Sequence, residues 1–145
     1  MNGVEIRRLG SDEAELIVAA STLFDEPATD EWASLFLTRP GHHLLIAYLD
    51  EKPVGFISGV ETTHPDKGTE MFLYELAVAE AHRRHGIGQA LVAALADIAR
   101  EQGCYGMWVG TEPGNTAAIG TYRSAGADAP EPFVTLSWTF AGAEQ

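Results

Sequence analysis

Apolar and polar residues alternate from Val4 to Leu9, as in a half-buried first strand. Ser11-Asp-Glu-Ala-Glu then opens a helix with acids in its first turn, where the helix dipole favours them. Leu16, Ile17, Ala20 and Leu23 supply its buried face, and Pro27 ends the unit. Residues 29–37 read as a short second helix with Thr29 as N-cap, stopped by Pro40-Gly41. His43 to Leu49, an Asp50-Glu-Lys turn and Pro53 to Thr63 predict an antiparallel hairpin. A loop, His64-Pro-Asp-Lys-Gly, leads to a fourth strand from Glu70 to Val78, apolar enough to be covered on both faces. Ile87, Leu91, Ala94, Leu95 and Ile98 recur at helical spacing between Gly86 and Gln102, and Gly103 follows as a C′ glycine. Tyr105 to Thr111 predicts a fifth strand, Glu112-Pro-Gly-Asn a turn, Thr116 to Ser124 a short helix and Phe133 to Phe140 a last alternating strand. This order gives a mixed sheet with helices on both faces.

The chain has 145 residues, 46% of them apolar, which suits one domain over 1–145. No repeat, low-complexity segment or linker divides it. Its apolar runs fall far short of the roughly 20 residues of a membrane span, and Met-Asn-Gly-Val-Glu-Ile has no leader pattern, so a cytoplasmic location is expected. The single cysteine, Cys104, excludes an internal disulfide and reads as a packing residue at a helix end. His42, His43, His82 and His85 lack partners at ligand spacing, so no metal is expected. With 21 acidic residues against nine Lys and Arg, the net charge is −12. That balance keeps the protein soluble, repels nucleic acid and anionic membranes, and attracts cations.

The chemistry concentrates in residues 75–90, Glu-Leu-Ala-Val-Ala-Glu-Ala-His-Arg-Arg-His-Gly-Ile-Gly-Gln-Ala, an apolar strand followed by a basic, glycine-containing turn that opens a helix. Gly86 and Gly88 leave no side chain in the way, so N–H groups at the helix start can close on phosphate oxygens, helped by the dipole and by Arg83 and Arg84. A pyrophosphate-bearing molecule is the natural guest. The first glycine repeat of a Rossmann fingerprint and the Gly-Lys-Ser/Thr ending of a P-loop are both missing.

Arg83-x-x-Gly86-x-Gly88 after a strand, followed by Asn115 and by Ala118-Ile-Gly-Thr-Tyr122-Arg-Ser-Ala-Gly126, resembles the acetyl-CoA-binding core of the GNAT superfamily of N-acetyltransferases. The resemblance covers roughly residues 43 to 140. It implies an α/β (α+β) fold with a mixed central sheet of about six to seven strands flanked by helices on both faces. It also implies acetyl-CoA as cosubstrate. The pantetheine arm would insert where the fourth and fifth strands splay apart, against Leu76, Ala77 and Val78. Arg83, Arg84, His85, Gly86, Ile87, Gly88, Gln89 and Ala90 would surround the pyrophosphate. Asn115 would touch the pantetheine or turn the chain into its helix.

Acetyl transfer from a thioester to an amine needs a group that accepts the amine's proton and benefits from a donor to the departing sulfur. Glu75, an acid on a strand where glutamate is disfavoured, is the expected base, with Glu112 as second choice or as an ammonium anchor. Tyr122 is the expected acid, a role that the resemblance implies. Asp25 and Glu26, with Glu112, are expected to bind the acceptor. Phe24-Asp25-Glu26-Pro27, the Asp30-Glu-Trp helix, the Phe72 to Val78 strand and Met107 to Asn115 further resemble the aminoglycoside 3-N-acetyltransferase subgroup, which implies a small polycationic amine as substrate. That subgroup has Asp where this chain has Glu75, and an Asp pair where it has Asn115-Thr116. The alternatives are a protein N-terminus, lysine or small metabolite amine as acceptor, and a CoA-binding module without turnover. A homodimer is compatible with each.

Overall fold

The computed structural model describes residues 3–141 of the chain. Met1 and Asn2, part of the stretch read as lacking a leader, lie outside them. Five strands form one sheet in the order β1-β2-β3-β4-β5: β1 (Val4–Arg8), β2 (His42–Leu49), β3 (Lys52–His64), β4 (Gly68–Val78) and β5 (Met107–Trp108). The first four are antiparallel neighbours, and β5 runs parallel to β4. No described helix is long and apolar enough to cross a membrane.

Period-two alternation sends successive side chains to opposite faces of this sheet, and each face builds its own core. On one face Leu45, Ala47, Ile57, Met71 and Leu73 pack under α3 (Ile87–Glu101), whose Leu91, Leu95 and Ile98 are the residues expected at helical spacing. On the other, Leu44, Ile46 and Phe56 lie beneath α1 (Ala14–Ala19) and α2 (Asp30–Thr38). Thr29 caps α2, its hydroxyl accepting from Trp32 N–H at 3.2 Å. At the end of α3, Gly103 takes φ +78°, its N–H donates to Arg100 at 3.1 Å and Cys104 N–H to Ala99 at 2.9 Å. That paired closure is the Schellman arrangement. It turns Cys104 onto the core, as expected of a packing residue.

Two expectations about the sheet fail, both at its β5 edge. The fifth strand, expected over residues 105–111, pairs only at Met71–Met107 and Phe72–Trp108. The cause lies in β4: its register against β3 shifts between Ser58 and Gly59, where β4 spends Leu73, Tyr74 and Glu75 against only two residues. Such a bulge twists the strand away from a parallel neighbour. The final strand expected at residues 133–140 is absent as well; the segment carries no regular secondary structure and pairs with no strand. Among the described residues the sheet therefore has five strands rather than six or seven.

Candidate functional site

Beyond Phe72–Trp108 the outer edge of β4 has no strand beside it among the described residues, and this open edge organises the site. Met71 N–H donates toward β5, to Gly106 at 2.9 Å. Side chains and backbone groups alternate together along a strand, so with the bulge counted Leu76 and Val78, on the face of Met71, turn their backbone groups toward the opening. The Val78 carbonyl is already taken, accepting Arg83 Nε–H at 3.0 Å. Ala77 is set differently from the expectation: its carbonyl points at β3, and its methyl packs on the α1–α2 side.

The turn into α3 carries two left-handed residues, Arg84 at φ +67° and Gly86 at φ +80°. The first bond inside the helix is Ala90 N–H to the Gly86 carbonyl at 3.0 Å, and no side chain caps this end. The N–H groups of Ile87, Gly88 and Gln89 are left to an external acceptor, at the positive end of a 15-residue helix. Such a helix start can hold an anion on backbone donors alone. Ala90 has spent its N–H within the helix, so it is not a donor there. His85 Nδ1 lies 3.2 Å from the His82 carbonyl. Arg84 makes no ion pair among the described residues and is the side chain left to meet a phosphate.

The space beside Gly88 is not a phosphate's. A Cβ there would lie 3.3 Å from Thr121 Cγ2 and within 4 Å of Val78 and Leu76, so this glycine lets α4 (Thr116–Ser124) and β4 close on α3. Gln89 ties the same two helices, its side-chain amide donating to the Ser124 carbonyl at 3.1 Å. Gly88→Ala is therefore expected to lower the melting temperature by a few degrees, and Thr121→Ser, which lacks the obstructing methyl, to restore it. Differential scanning fluorimetry of the single and double variants checks this.

α4 brings Tyr122 to the α3 side of the opening, partly buried against the core. Burial pushes its phenol pKa up, so the hydroxyl carries its proton at neutral pH. Asn115 is the N-cap of this helix: its Oδ1 accepts from Ala118 N–H at 3.1 Å, and its Nδ2 lies 3.4 Å from Thr111 Oγ1.

Glu75 lies on the opposite face, that of α1 and α2, as its cross-strand partner Ser58 and the neighbouring Phe56 show. Asp25 follows the short helical turn Ser21–Leu23, held there by Phe24, whose ring sits 4.3 Å from that of Phe56. Desolvation raises the Glu75 pKa, and the Asp25 charge raises it further. A carboxyl poised above its ordinary range is a better proton acceptor. All four expected acids are exposed, and among them Asp25 is the one whose charge acts on Glu75; Glu26 and Glu112 make no side-chain hydrogen bond to either among the described residues.

Two features escape a reading of the sequence. The Ser58 hydroxyl is buried without a hydrogen-bond partner, opposite Glu75; a lone polar residue within Phe-Ile-Ser-Gly-Val is its signal. Phe72 stacks on Trp108 at 4.3 Å and lies 5.5 Å from Tyr74, forming an aromatic row beside Glu75. Alternation alone puts Phe72 and Tyr74 on one face but leaves Glu75 on that of Leu73, and the bulge is what brings Glu75 to the face of this row.

A helix start with free backbone donors, an open β4 edge and acids on the far face could together serve acyl transfer from a phosphate-bearing donor. The "Acetyltransferase (GNAT) family" model matches residues 12–127, and the chain belongs to that family. L-2,4-diaminobutyric acid acetyltransferase of Streptomyces coelicolor is 30% identical over 124 residues, 85% of this chain and 67% of that protein. N-acetyltransferase 8 of Homo sapiens is 30% identical over 92 residues, 63% of this chain; the match spans only 40% of the human protein. Among solved structures, the aminoglycoside acetyltransferase meta-AAC0020 from an uncultured soil metagenomic sample, in complex with sisomicin, superposes with TM-score 0.87 at 22% identity, covering 96% of this chain and 97% of that one. AAC(6')-Iy in complex with the bisubstrate analogue CoA-S-monomethyl-acetylneamine gives 0.78 at 20% identity, covering 94% and 99%. At these identities the structures establish the shared fold.

Proposed function

We propose that this protein transfers the acetyl group of acetyl-CoA to a primary amine of a small polycationic acceptor, with aminoglycosides as the first class of substrate. The observation that carries the proposal is the open β4 edge, with backbone phosphate donors and Tyr122 on its α3 side and Glu75 with Asp25 on the other. A thioester laid along Leu76 and Val78 would present its carbonyl at the split. The acceptor would approach from the carboxylate face, Glu75 taking the amine proton directly or through water and Tyr122 returning one to the sulfur. Arg84 and the free N–H groups of Ile87, Gly88 and Gln89 would hold the pyrophosphate.

The acidic chain and the aromatic row suit a cationic, ring-shaped amine, since carboxylates bind ammonium groups and aromatic faces attract cations. The aminoglycoside complexes of the solved neighbours support that choice of acceptor. The resemblance of this chain to the 3-N subgroup nominates the 3-amine, while the 6'-type neighbour makes the 6'-amine the competing position. A second reading, a diamino acid as acceptor, rests on the Streptomyces relative.

Release of free CoA thiol from acetyl-CoA, measured across aminoglycosides, 2,4-diaminobutyrate and peptides with free N-termini, tests the proposal, and nuclear magnetic resonance of the product locates the acetyl group. Turnover fastest on aminoglycosides supports it; turnover confined to diamino acids or peptides overturns the acceptor. Asp25→Asn is expected to raise the aminoglycoside KM about two- to fivefold with unchanged acetyl-CoA affinity, and added salt to mimic it by screening. Initial-rate kinetics at two ionic strengths provides the check.

A further inference from the structure

Ser58 is the one polar side chain buried in the core of the described residues, 1% exposed within the run Phe-Ile-Ser-Gly-Val of β3, and its hydroxyl has no hydrogen-bond partner there. A hydroxyl held in that state costs stability that alanine in the same place would not. The backbone around it is already engaged, because β3 is paired on both sides, to β2 through Leu44–Ser58 and to β4 through Ser58–Glu75. Of the two side chains directly opposed to Ser58, Leu44 is apolar and buried, and the other is Glu75. Opposed side chains on one face start about 4.5–5.5 Å apart at Cβ, within the reach of a glutamate carboxyl. The bulge of β4 makes this pair: without its extra residue Ser58 would oppose Tyr74, and Glu75 would lie on the α3 face.

We propose that Ser58 is a positioning residue for Glu75: its hydroxyl donates to the Glu75 carboxylate, directly or through one water, and holds the ionised carboxylate where the amine proton is delivered. The inference rests on Glu75 as the base of the proposed reaction. A serine hydroxyl can only donate to a carboxylate, and a bond to the charged form favours that form. Glu75 has need of one. Desolvation and the Asp25 charge both press it toward its neutral form, and no hydrogen bond among the described residues opposes them. The other titratable groups of this face stand apart from the pair. His42 is one row away on β2, its ring 4.8 Å from that of Phe36, and Tyr48 lies toward the far end of β2 beside Arg7. Glu15 of α1 and Asp30 and Glu31 of α2 are exposed. One buried hydroxyl would thus counter two effects that would otherwise keep the base protonated.

Carbon-13 nuclear magnetic resonance of the glutamate carboxyls of the full chain across a pH series, with the Glu75 signal assigned by its loss in Glu75→Gln, reads the pair without turnover. In Ser58→Ala, Glu75 is expected to bind its proton about three- to tenfold more tightly than in wild type, and Ser58→Thr, which keeps the hydroxyl, to restore the wild-type titration. Stability should follow with a definite sign. The bond is made to the ionised carboxylate, so the advantage of wild type over Ser58→Ala is present above the Glu75 pKa and lost as the pH falls through it, which melting curves at both ends of the series show. In the kcat profile the acid limb of Ser58→Ala should move to higher pH, lowering turnover about three- to tenfold below the limb and little on the plateau, with the acetyl-CoA KM unchanged. An unchanged Glu75 titration in Ser58→Ala overturns the proposal whatever Glu75 does in the reaction, as does a variant that melts higher than wild type at every pH, the mark of an orphaned hydroxyl, or one in which the His42 imidazole alone responds. A shifted titration with an unmoved acid limb overturns the positioning role. If Glu75→Gln also keeps that limb, it is Glu75 as base that has failed.

Discussion

Tyr122→Phe is expected to lower kcat about a hundredfold or more while leaving acetyl-CoA affinity almost unchanged, the effect of losing a general acid alone. The ring is partly buried against the α3 core, and phenylalanine keeps that packing. Only the hydroxyl is lost. Because burial raises the phenol pKa, the wild-type group stays protonated through neutral pH and is available as a donor. The alkaline limb of the kcat profile should accordingly flatten in the variant, since its only titrating acid is gone. Single-turnover measurements with a fast acceptor, paired with calorimetric titration of acetyl-CoA, separate chemistry from binding. Unchanged turnover with a lower melting temperature would assign Tyr122 to packing.

The uncapped helix start after β4 was legible in the sequence because its physics is local. A strand, a left-handed turn and a helix start lie within residues 75–90, and the free donors of Ile87, Gly88 and Gln89 follow from helix geometry alone. What each neighbour does was less legible, because tertiary packing decides it. Arg83 is drawn back to the Val78 carbonyl, Ala77 faces β3 and the α1–α2 core, and Gly88 makes room for Thr121. None of those contacts has a sequence signature. The acceptor side depends on longer separations still. Asp25 comes within electrostatic reach of Glu75 because Phe24 packs on Phe56, and Glu75 shares the face of Phe72 and Tyr74 only because the bulge shifts its register. The failed sixth strand has yet another cause: its alternation is genuine, but a strand pattern does not say which edge will receive it.

Glu75→Gln is expected to separate catalysis from stability in opposite directions. Burial and the Asp25 charge raise the Glu75 pKa above that of an exposed glutamate, so the folded protein binds its proton more tightly than the unfolded chain. Below the ordinary glutamate value of about 4.3, both states are protonated and the group costs nothing. As the pH rises through the folded pKa, the ionised carboxylate is desolvated and repelled, and stability falls. Glutamine removes that penalty, so the variant should melt higher than wild type at neutral pH and level with it at low pH. Activity should move the other way. Without its base the enzyme depends on acceptor amines that arrive neutral, and turnover should drop a hundredfold or more near neutral pH, recovering as the pH climbs toward the amine pKa. Wild type should instead lose activity on the acid side as Glu75 is protonated. Melting curves and kcat profiles across the same pH series read both effects. A pH-independent loss expressed only in the acceptor KM would make Glu75 an ammonium anchor and pass the role of base to Glu112 or to water.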